Sequence, residues 1–145
     1  MIVQLIYISY SVGDTIDQDF HFIEGVRERN TRRGITSIML ITESCYIHCI
    51  EGERNEVSNL FVKIAQDTRH HGATILRFSE MPKREFGDFS GAISRLSDFD
   101  TAEYNTVCPS MQIDPTSITS AKAMNLLRRV AAHYRADQNS SNLSY

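Results

Sequence analysis

The hydrophobic pattern of this chain predicts strands that are buried on both faces. Five segments are predicted strands, of which the last is the weakest: residues 2–9, 35–42, 45–52, 73–79 and 89–96. Successive side chains of a strand point to opposite faces, and the first three segments are apolar on both. In the first of them, Val3, Leu5 and Tyr7 share one face. Such strands need a layer of structure on each side of the sheet.

Two segments with a helical period are predicted to supply one of those layers. Residues 15–30 begin at Thr15, which forms a capping-box pattern with Gln18 three residues later. Residues 55–67 carry apolar side chains at the i, i+3, i+4, i+7 spacing of one helix face. Together with the strands, these helices give the order β-α-β-β-α-β followed by an extra strand. That order predicts a mixed α/β fold of the α+β kind, the ferredoxin-like arrangement.

A C-terminal helical cap is predicted to cover the opposite face of the sheet, from within the chain or from a partner subunit. Asp114 is predicted to cap this region and Pro115 to be its first helical residue. Its apolar stripe consists of Ala123, Leu127, Val130 and Tyr134. We expect residues 1–96 to form one domain, 97–135 a linker with the helical cap, and 136–145 a disordered polar tail.

Composition and charge narrow the possible functions. The 145 residues suffice for one domain with a core. A net charge of −3 argues against general nucleic-acid binding. No run of about 18 apolar residues and no signal-peptide layout is present, so we expect no membrane span and a cytoplasmic location. Cys45 and Cys49 lie about 13 Å apart along one strand, too far for a disulfide, and no Cys/His spacing resembles a zinc site.

One titratable side chain stands in the middle of the third predicted strand. Within residues 45–52, the side chains of Tyr46, His48 and Ile50 face the same way. His48 is therefore predicted to point toward a helix layer from the centre of the sheet. It is either a core histidine that bonds to a hydroxyl or carbonyl group, or part of a functional site.

Four segments in chain order share a pattern with one known family. They are Leu5-Ile6-Tyr7-Ile8-Ser9, Asn30 with Gly34-Ile35-Thr36, Tyr46-Ile47-His48-Cys49-Ile50-Glu51-Gly52, and Asp67-Thr68-Arg69-His70. Together they resemble the BLUF domains, which are blue-light sensors that use a flavin. The resemblance covers about residues 1–96 and implies the ferredoxin-like fold, with the flavin ring between the two helices. As in the short, single-domain members, it implies C-terminal helices that cap the back of the sheet.

The resemblance also implies roles for individual residues. Tyr7 matches the tyrosine that donates an electron and a proton to the excited flavin, and Asn30 matches the asparagine that bonds to the polar edge of the ring. Arg69 and His70 match residues beside the flavin at the end of the second helix. Ile64 lies on the apolar helix face that sandwiches the ring. The plain alternatives are a core tyrosine, a helix-terminal asparagine and a solvated helix end, but four matches in order favour the functional interpretation.

The chain departs from the family at His48. Family members have a glutamine there, whose amide bridges the tyrosine and the flavin and rearranges its hydrogen bonds in light. A neutral imidazole also has one donor and one acceptor nitrogen, so it can accept from Tyr7, donate to the flavin and exchange tautomers. Its ring is rigid, however, and a protonated imidazole has no acceptor left. Phe89 and Gly91 stand where members often have tryptophan and methionine, so the pocket is expected to lose two bulky neighbours.

We therefore predict a flavin-binding blue-light photoreceptor with an altered photocycle, which signals through hydrogen bonds around the flavin and through contact with another protein. The expected cofactor is FAD, with FMN or riboflavin as alternatives. The expected partners are a second copy of the chain, a downstream signalling protein, or both. No nucleophile–base pair and no phosphate-cradling glycine loop is visible, so no enzymatic turnover is expected. The alternative is a flavin-free interaction module with the same fold; a small enzyme of the acyl-phosphate type lacks a suitable anion loop.

Overall fold

The computed structural model describes residues 1–11, 16–42, 45–68, 70–96, 99, 102 and 113–142. The elements in chain order are β1 (Ile2–Ser11), α1 (Ile16–Arg33), β2 (Thr36–Ile41), β3 (Cys45–Glu53), α2 (Arg54–Gln66), β4 (His70–Met81), β5 (Ala92–Arg95) and α3 (Ser120–Asn142). The strands form one sheet in the order β4-β1-β3-β2-β5. β5 pairs in parallel with β2, and the other neighbours pair antiparallel. The predicted order of elements is confirmed, with β5 as the extra strand.

Separate hydrophobic cores lie on the two faces of this sheet. On one face, Val57 and Leu60 of α2 share a core with Leu5 of β1. On the other face, the apolar side of α3 packs against β1, β2 and β3. The buried residues of α3 are Ala123, Met124, Leu126, Leu127, Val130 and Ala131. The two layers explain why the strands are apolar on both faces, and the prediction that the C-terminal helix covers the back of the sheet is confirmed.

The C-terminal helix begins later than predicted. The Asp114 carboxylate accepts hydrogen bonds from the backbone N–H and the hydroxyl of Thr116, at 2.9 and 2.7 Å. These bonds close a turn that contains Pro115, as aspartate side chains often do, so neither residue starts the helix. The cap is Thr119, whose hydroxyl accepts from the backbone N–H of Lys122 at 3.1 Å.

The same helix ends later than predicted. α3 continues to Asn142, so the prediction of a disordered tail from residue 136 is wrong for residues 136–142. Adding polar residues to an existing helix costs much less than nucleating a new one. His133 and Asp137 are an i, i+4 pair on this stretch, with 3.6 Å between Nε2 and the carboxylate. Within the described ranges, none of the helices combines the length and hydropathy that a membrane span requires.

The remaining bounds differ from the predicted ones by a few residues. α1 passes through Asn30 to Arg33, and Gly34, with a φ of 65°, terminates it. β4 is longer than predicted because it pairs with β1 along most of its length, whereas β5 has only 4 residues. Thr15, with its predicted cap, lies outside the described residues, as do most of residues 97–112 at the start of the predicted linker and cap.

A buried carboxylate fixes the β4–β5 connection, residues 82–91. Glu51 of β3 is fully buried. It accepts hydrogen bonds from the backbone N–H groups of Glu85 at 2.9 Å and Phe86 at 2.7 Å. Gln4 Nε2 donates to the same carboxylate at 3.1 Å. The β4–β5 connection is thereby held against β3, a role that sequence analysis did not assign to Glu51.

The β4–β5 connection is also tied to α3. Arg128 donates to the Glu85 carboxylate at 2.6 Å, and Arg135 donates two hydrogen bonds to Asp88, both of 2.9 Å. Hydrogen bonds from these arginines lower the pKa of both carboxyl groups. The middle of one short segment therefore contacts both β3 and α3.

Replacing Glu51 by Gln is expected to lower the free energy of unfolding by about 1–3 kcal/mol, because the amide NH₂ faces a buried backbone donor. Denaturant unfolding followed by circular dichroism measures the change. Glu53→Gln is the matched control, since Glu53 is exposed and its bond to the N-terminal amine is a surface ion pair, which contributes little. Equal effects of the two substitutions would contradict the role of Glu51.

A chain that ends after residue 96 is expected to lose its stable fold, because the sheet face that α3 buries becomes exposed. Each buried Leu or Val side chain contributes about 1.5–3 kcal/mol, against a total free energy of unfolding of about 5–15 kcal/mol. A chain that ends after residue 135 keeps the buried side of α3 and is the control. Solubility and thermal unfolding of the two chains are compared. A soluble and equally stable monomer of residues 1–96 would show that the helix is unnecessary.

Candidate functional site

A cavity of about 300 Å³ lies between α1 and α2, on the sheet face opposite α3. Its volume is at the lower end of the range for small-molecule sites, roughly 300–1,000 Å³. Strand residues form its floor, and the two helices form its walls. Most of the side chains on the floor come from β1, β2 and β3, the strands predicted to be buried on both faces, and β5 adds Ala92 and Ile93.

The floor of the cavity contains a hydrogen-bonded pair from adjacent strands. Tyr7 of β1 and His48 of β3 stand directly opposite each other in the antiparallel register. The Tyr7 hydroxyl lies 2.8 Å from His48 Nδ1, and the two side chains are only 1% and 5% exposed. A shift of the register by one residue would turn every side chain to the other face. The packing of both strands therefore fixes this pair.

The Tyr7 phenol is protonated in this environment. Burial raises its pKa far above the ordinary value, and the acidic groups of Tyr46 and Asp67 raise it further. Phe61 of α2 packs edge-on against the Tyr7 ring, with 5.6 Å between the ring centroids. The hydroxyl group is therefore held in place as a neutral hydrogen-bonding group.

Asn30 places an amide at the edge of the cavity. It is buried within α1, before the last helical residue Arg33, so it does not terminate the helix. Its Nδ2 lies 3.4 Å from Ser37 Oγ and 3.4 Å from the carbonyl oxygen of Ser90. Both contacts are longer than usual N–H···O hydrogen bonds. A ligand acceptor at normal distance therefore competes well for this amide.

Apolar side chains form much of the helical walls. Val26 of α1 and Leu60 and Ile64 of α2 line the cavity, next to Met39 of β2 and Ile93 of β5. Walls of this kind, with a few polar groups at the edge, are typical of sites for small organic ligands. Ile64 lies on the wall, on the helix face predicted from its spacing.

Four further charged side chains, to which sequence analysis gave no role, also line the cavity. Arg29 and Arg33 of α1 and Lys63 of α2 are cationic, and Asp67 is anionic. Arg29 and Lys63 are exposed, which places positive charge at the cavity mouth. The sequence contains a signal for this positive charge, because Arg29 and Arg33 are one helical turn apart and share a helix face. The excess of positive charge suits an anionic ligand.

The structure brings together most of the predicted site residues. Those that line the cavity are Tyr7, Asn30, His48 and Ile64. Arg69 lies outside the described residues, and only the backbone of His70, at the start of β4, is described. The roles of Arg69 and His70 beside a ligand therefore stay predictions.

Phe89 and Gly91 lie on different sides of the sheet. Gly91 lines the cavity, and Arg27 Nε donates to its carbonyl oxygen at 2.8 Å. A Cβ at this position would lie 2.6 Å from Arg27 Cγ, so the close approach requires glycine. Phe89 instead packs edge-on against Tyr134 of α3, with ring centroids 5.2 Å apart. The expected loss of bulk around the cavity thus applies to Gly91 and is wrong for Phe89.

Comparison with known proteins gives a family. The chain matches the model of the BLUF family, described as sensors of blue-light using FAD, over residues 2–92. It is 28% identical over 88 residues to the blue light- and temperature-regulated antirepressor BluF of Escherichia coli K12. That match covers 60% of this chain, and the chain spans 22% of the length of this relative.

Two solved structures match along nearly their whole length. BlsA in its photo-activated state has a TM-score of 0.77 at 23% identity, over 90% of this chain and 94% of that one. The BLUF protein BlrB in its dark state has a TM-score of 0.74 at 25% identity, over 92% of this chain and 96% of that one. These likenesses confirm the predicted ferredoxin-like fold.

Proposed function

Because this chain belongs to the BLUF family of blue-light sensors that use FAD, we propose that it binds a flavin between α1 and α2 and senses blue light with it. The observation that carries the proposal is the cavity beside the hydrogen-bonded Tyr7 and His48 side chains. A tyrosine and a histidine that have only a structural role in the hydrophobic core need no open space beside them. Here both border a volume in the range of ligand sites.

The residues around the cavity fit a flavin. Asn30 and His48 supply hydrogen-bonding groups for the polar edge of a ring system, and the apolar walls suit its faces. Arg29, Arg33 and Lys63 favour a flavin that carries phosphate, because guanidinium and ammonium groups bind phosphate well. We therefore propose FAD, with FMN as the alternative that keeps a phosphate, in preference to riboflavin. When bound, the flavin supplies the absorption of blue light.

Arg69 and His70 are proposed to contribute to the same site. They follow α2, whose residues Ile64 and Asp67 already line the cavity. A cation in this place adds to the positive charge of the cavity mouth. The proposal rests on this position in the chain and on the family match.

His48 leads us to propose an altered photocycle. The imidazole keeps a hydrogen bond to Tyr7, at 2.8 Å. Its two nitrogens are fixed on one rigid ring, whereas a glutamine amide can rotate and exchange its donor for its acceptor at the same place. Tyr7 is still present, so it can react with the light-excited flavin. A long-lived state that depends on rotation of the amide is not expected, because the amide is absent.

We propose that α3 passes the signal to a second copy of the chain or to a downstream signalling protein in the cytoplasm. β3 presents His48 to the cavity, while its neighbours Ile47 and Cys49 belong to the core under α3. The helix therefore lies directly behind the light-sensing side chains. The curated relative from Escherichia coli is named an antirepressor, which supports output through a protein partner.

The purified protein is expected to be yellow and to bind FAD without a covalent bond. Asn30→Ala is expected to weaken binding by about 1–3 kcal/mol, because a buried ring carbonyl loses its hydrogen-bond donor. Titration of flavin fluorescence measures the dissociation constant. Asn59→Ala, at an exposed position of α2, is the control and should bind normally. A well-folded but colourless protein that takes up no added flavin would refute flavin binding and favour the interaction module.

His48→Gln is expected to create a long-lived red-shifted absorption under blue light that the wild-type protein lacks. The reason is that the amide can rotate and place its donor where its acceptor stood, whereas the two nitrogens of the imidazole keep their positions on a rigid ring. Absorption spectra before and after illumination measure the shift and its recovery. Tyr7→Phe is expected to raise flavin fluorescence in both backgrounds, because it removes the electron donor. A wild-type protein with an ordinary long-lived shift would show that histidine replaces glutamine fully.

A further inference from the structure

We propose that His48 is the proton acceptor of Tyr7, and that Tyr7 holds it in the tautomer with its hydrogen on Nε2. The proposal rests on the proposed flavin function, because the light-excited flavin is the oxidant of Tyr7. The proposal makes His48 a base in this site. A glutamine at the same position would have an amide there, which is not basic at physiological pH. The difference concerns which atom receives the phenol proton.

The geometry of the pair suits proton transfer. Tyr7 Oη lies 2.8 Å from His48 Nδ1, within the roughly 2.6–3.2 Å over which a base accepts a proton directly. The two residues stand opposite each other on paired strands. Both strands also have hydrogen-bonded partners on their outer sides, so the sheet holds the two side chains at this distance.

The chemistry of the two groups sets the direction of the hydrogen bond. A phenol is the better donor and an imidazole nitrogen is the better acceptor. Burial raises the pKa of Tyr7, so in the dark its hydroxyl keeps the proton and donates a hydrogen bond to Nδ1. A neutral imidazole carries a single N–H. With Nδ1 as the acceptor, that hydrogen is on Nε2.

In the dark the proton stays on the Tyr7 oxygen. Light shifts the proton to His48, because it removes an electron from Tyr7. Tyr7 gives one electron to the excited flavin, its O–H bond breaks, and the proton forms a new N–H bond at His48 Nδ1. Tyr7 is then a neutral phenoxyl radical, and His48 is an imidazolium with hydrogen on both nitrogens. When the electron returns to Tyr7, the proton returns with it, so that atoms and charges are restored.

The dark tautomer is tested by NMR on protein labelled with ¹⁵N-histidine, as purified and with added FAD. The chain has 5 histidines, and His48→Gln identifies the resonances of His48. Nδ1 is expected to show the chemical shift of an unprotonated nitrogen and Nε2 that of a protonated one. Tyr7→Phe removes the donor, so a mixture of tautomers is expected in that variant. A protonated Nδ1 in the wild-type protein overturns the proposal.

The light step is tested by infrared difference spectroscopy on the same labelled protein. Transient bands that shift with the label are expected in the wild-type protein and are lost in both His48→Gln and Tyr7→Phe. His71→Gln is the matched control, because His71 stacks on Tyr10 with ring centroids 5.4 Å apart. It removes a histidine that also lies beside a tyrosine, and the labelled bands should remain.

Failure of this proposal and failure of the proposed function give different results. A yellow protein whose flavin fluorescence rises on Tyr7→Phe, but which shows no label-sensitive bands, overturns the proton transfer alone. A folded protein that takes up no flavin overturns the proposed function and the light step, whereas the dark tautomer of His48 is decided by the NMR spectra alone.

Discussion

The burial of β1 and β3 on both faces is the constraint on which the rest of this structure depends. Each strand has one core on the side of α1 and α2 and another under α3, so neither can slip by one residue without exchanging the two sets of side chains. A slip in β3 would place Ile47 in the cavity and His48 under α3. The contact between Tyr7 and His48 thus follows from hydrophobic packing along both strands, and the chemistry of the cavity is built on it.

The polar contacts of the β4–β5 connection link the two sides of this sheet. Its last residues border the cavity, where the Ser90 carbonyl oxygen accepts from Asn30. Its middle is held by Glu51 on one side and by Arg128 and Arg135 of α3 on the other. A single segment of chain therefore touches the candidate flavin site, the central strand and the candidate output helix.

The sequence predicts those features that depend on neighbouring residues. Alternation along β1 and β3 places Tyr7 and His48 on the same face of the sheet, and the order of strands and helices predicts the fold. The role of Glu51 could not be predicted, because its partner backbone N–H at Glu85 is 34 residues away and no local pattern marks it. The predicted start of α3 is wrong for a different reason. An Asp-Pro pair is as compatible with a turn as with the first residues of a helix.

The packing of Arg27 on Gly91 restricts the order in which this chain can evolve. Any larger residue at position 91 meets the Arg27 side chain well inside van der Waals distance. A smaller residue at position 27 removes that clash at the cost of the hydrogen bond from Arg27 to the Gly91 carbonyl oxygen. Of the two mutational paths to a bulkier cavity wall, the one that begins at Arg27 passes through an unstrained protein. The other path begins with an overpacked one, so selection would favour a change at position 27 before any change at position 91.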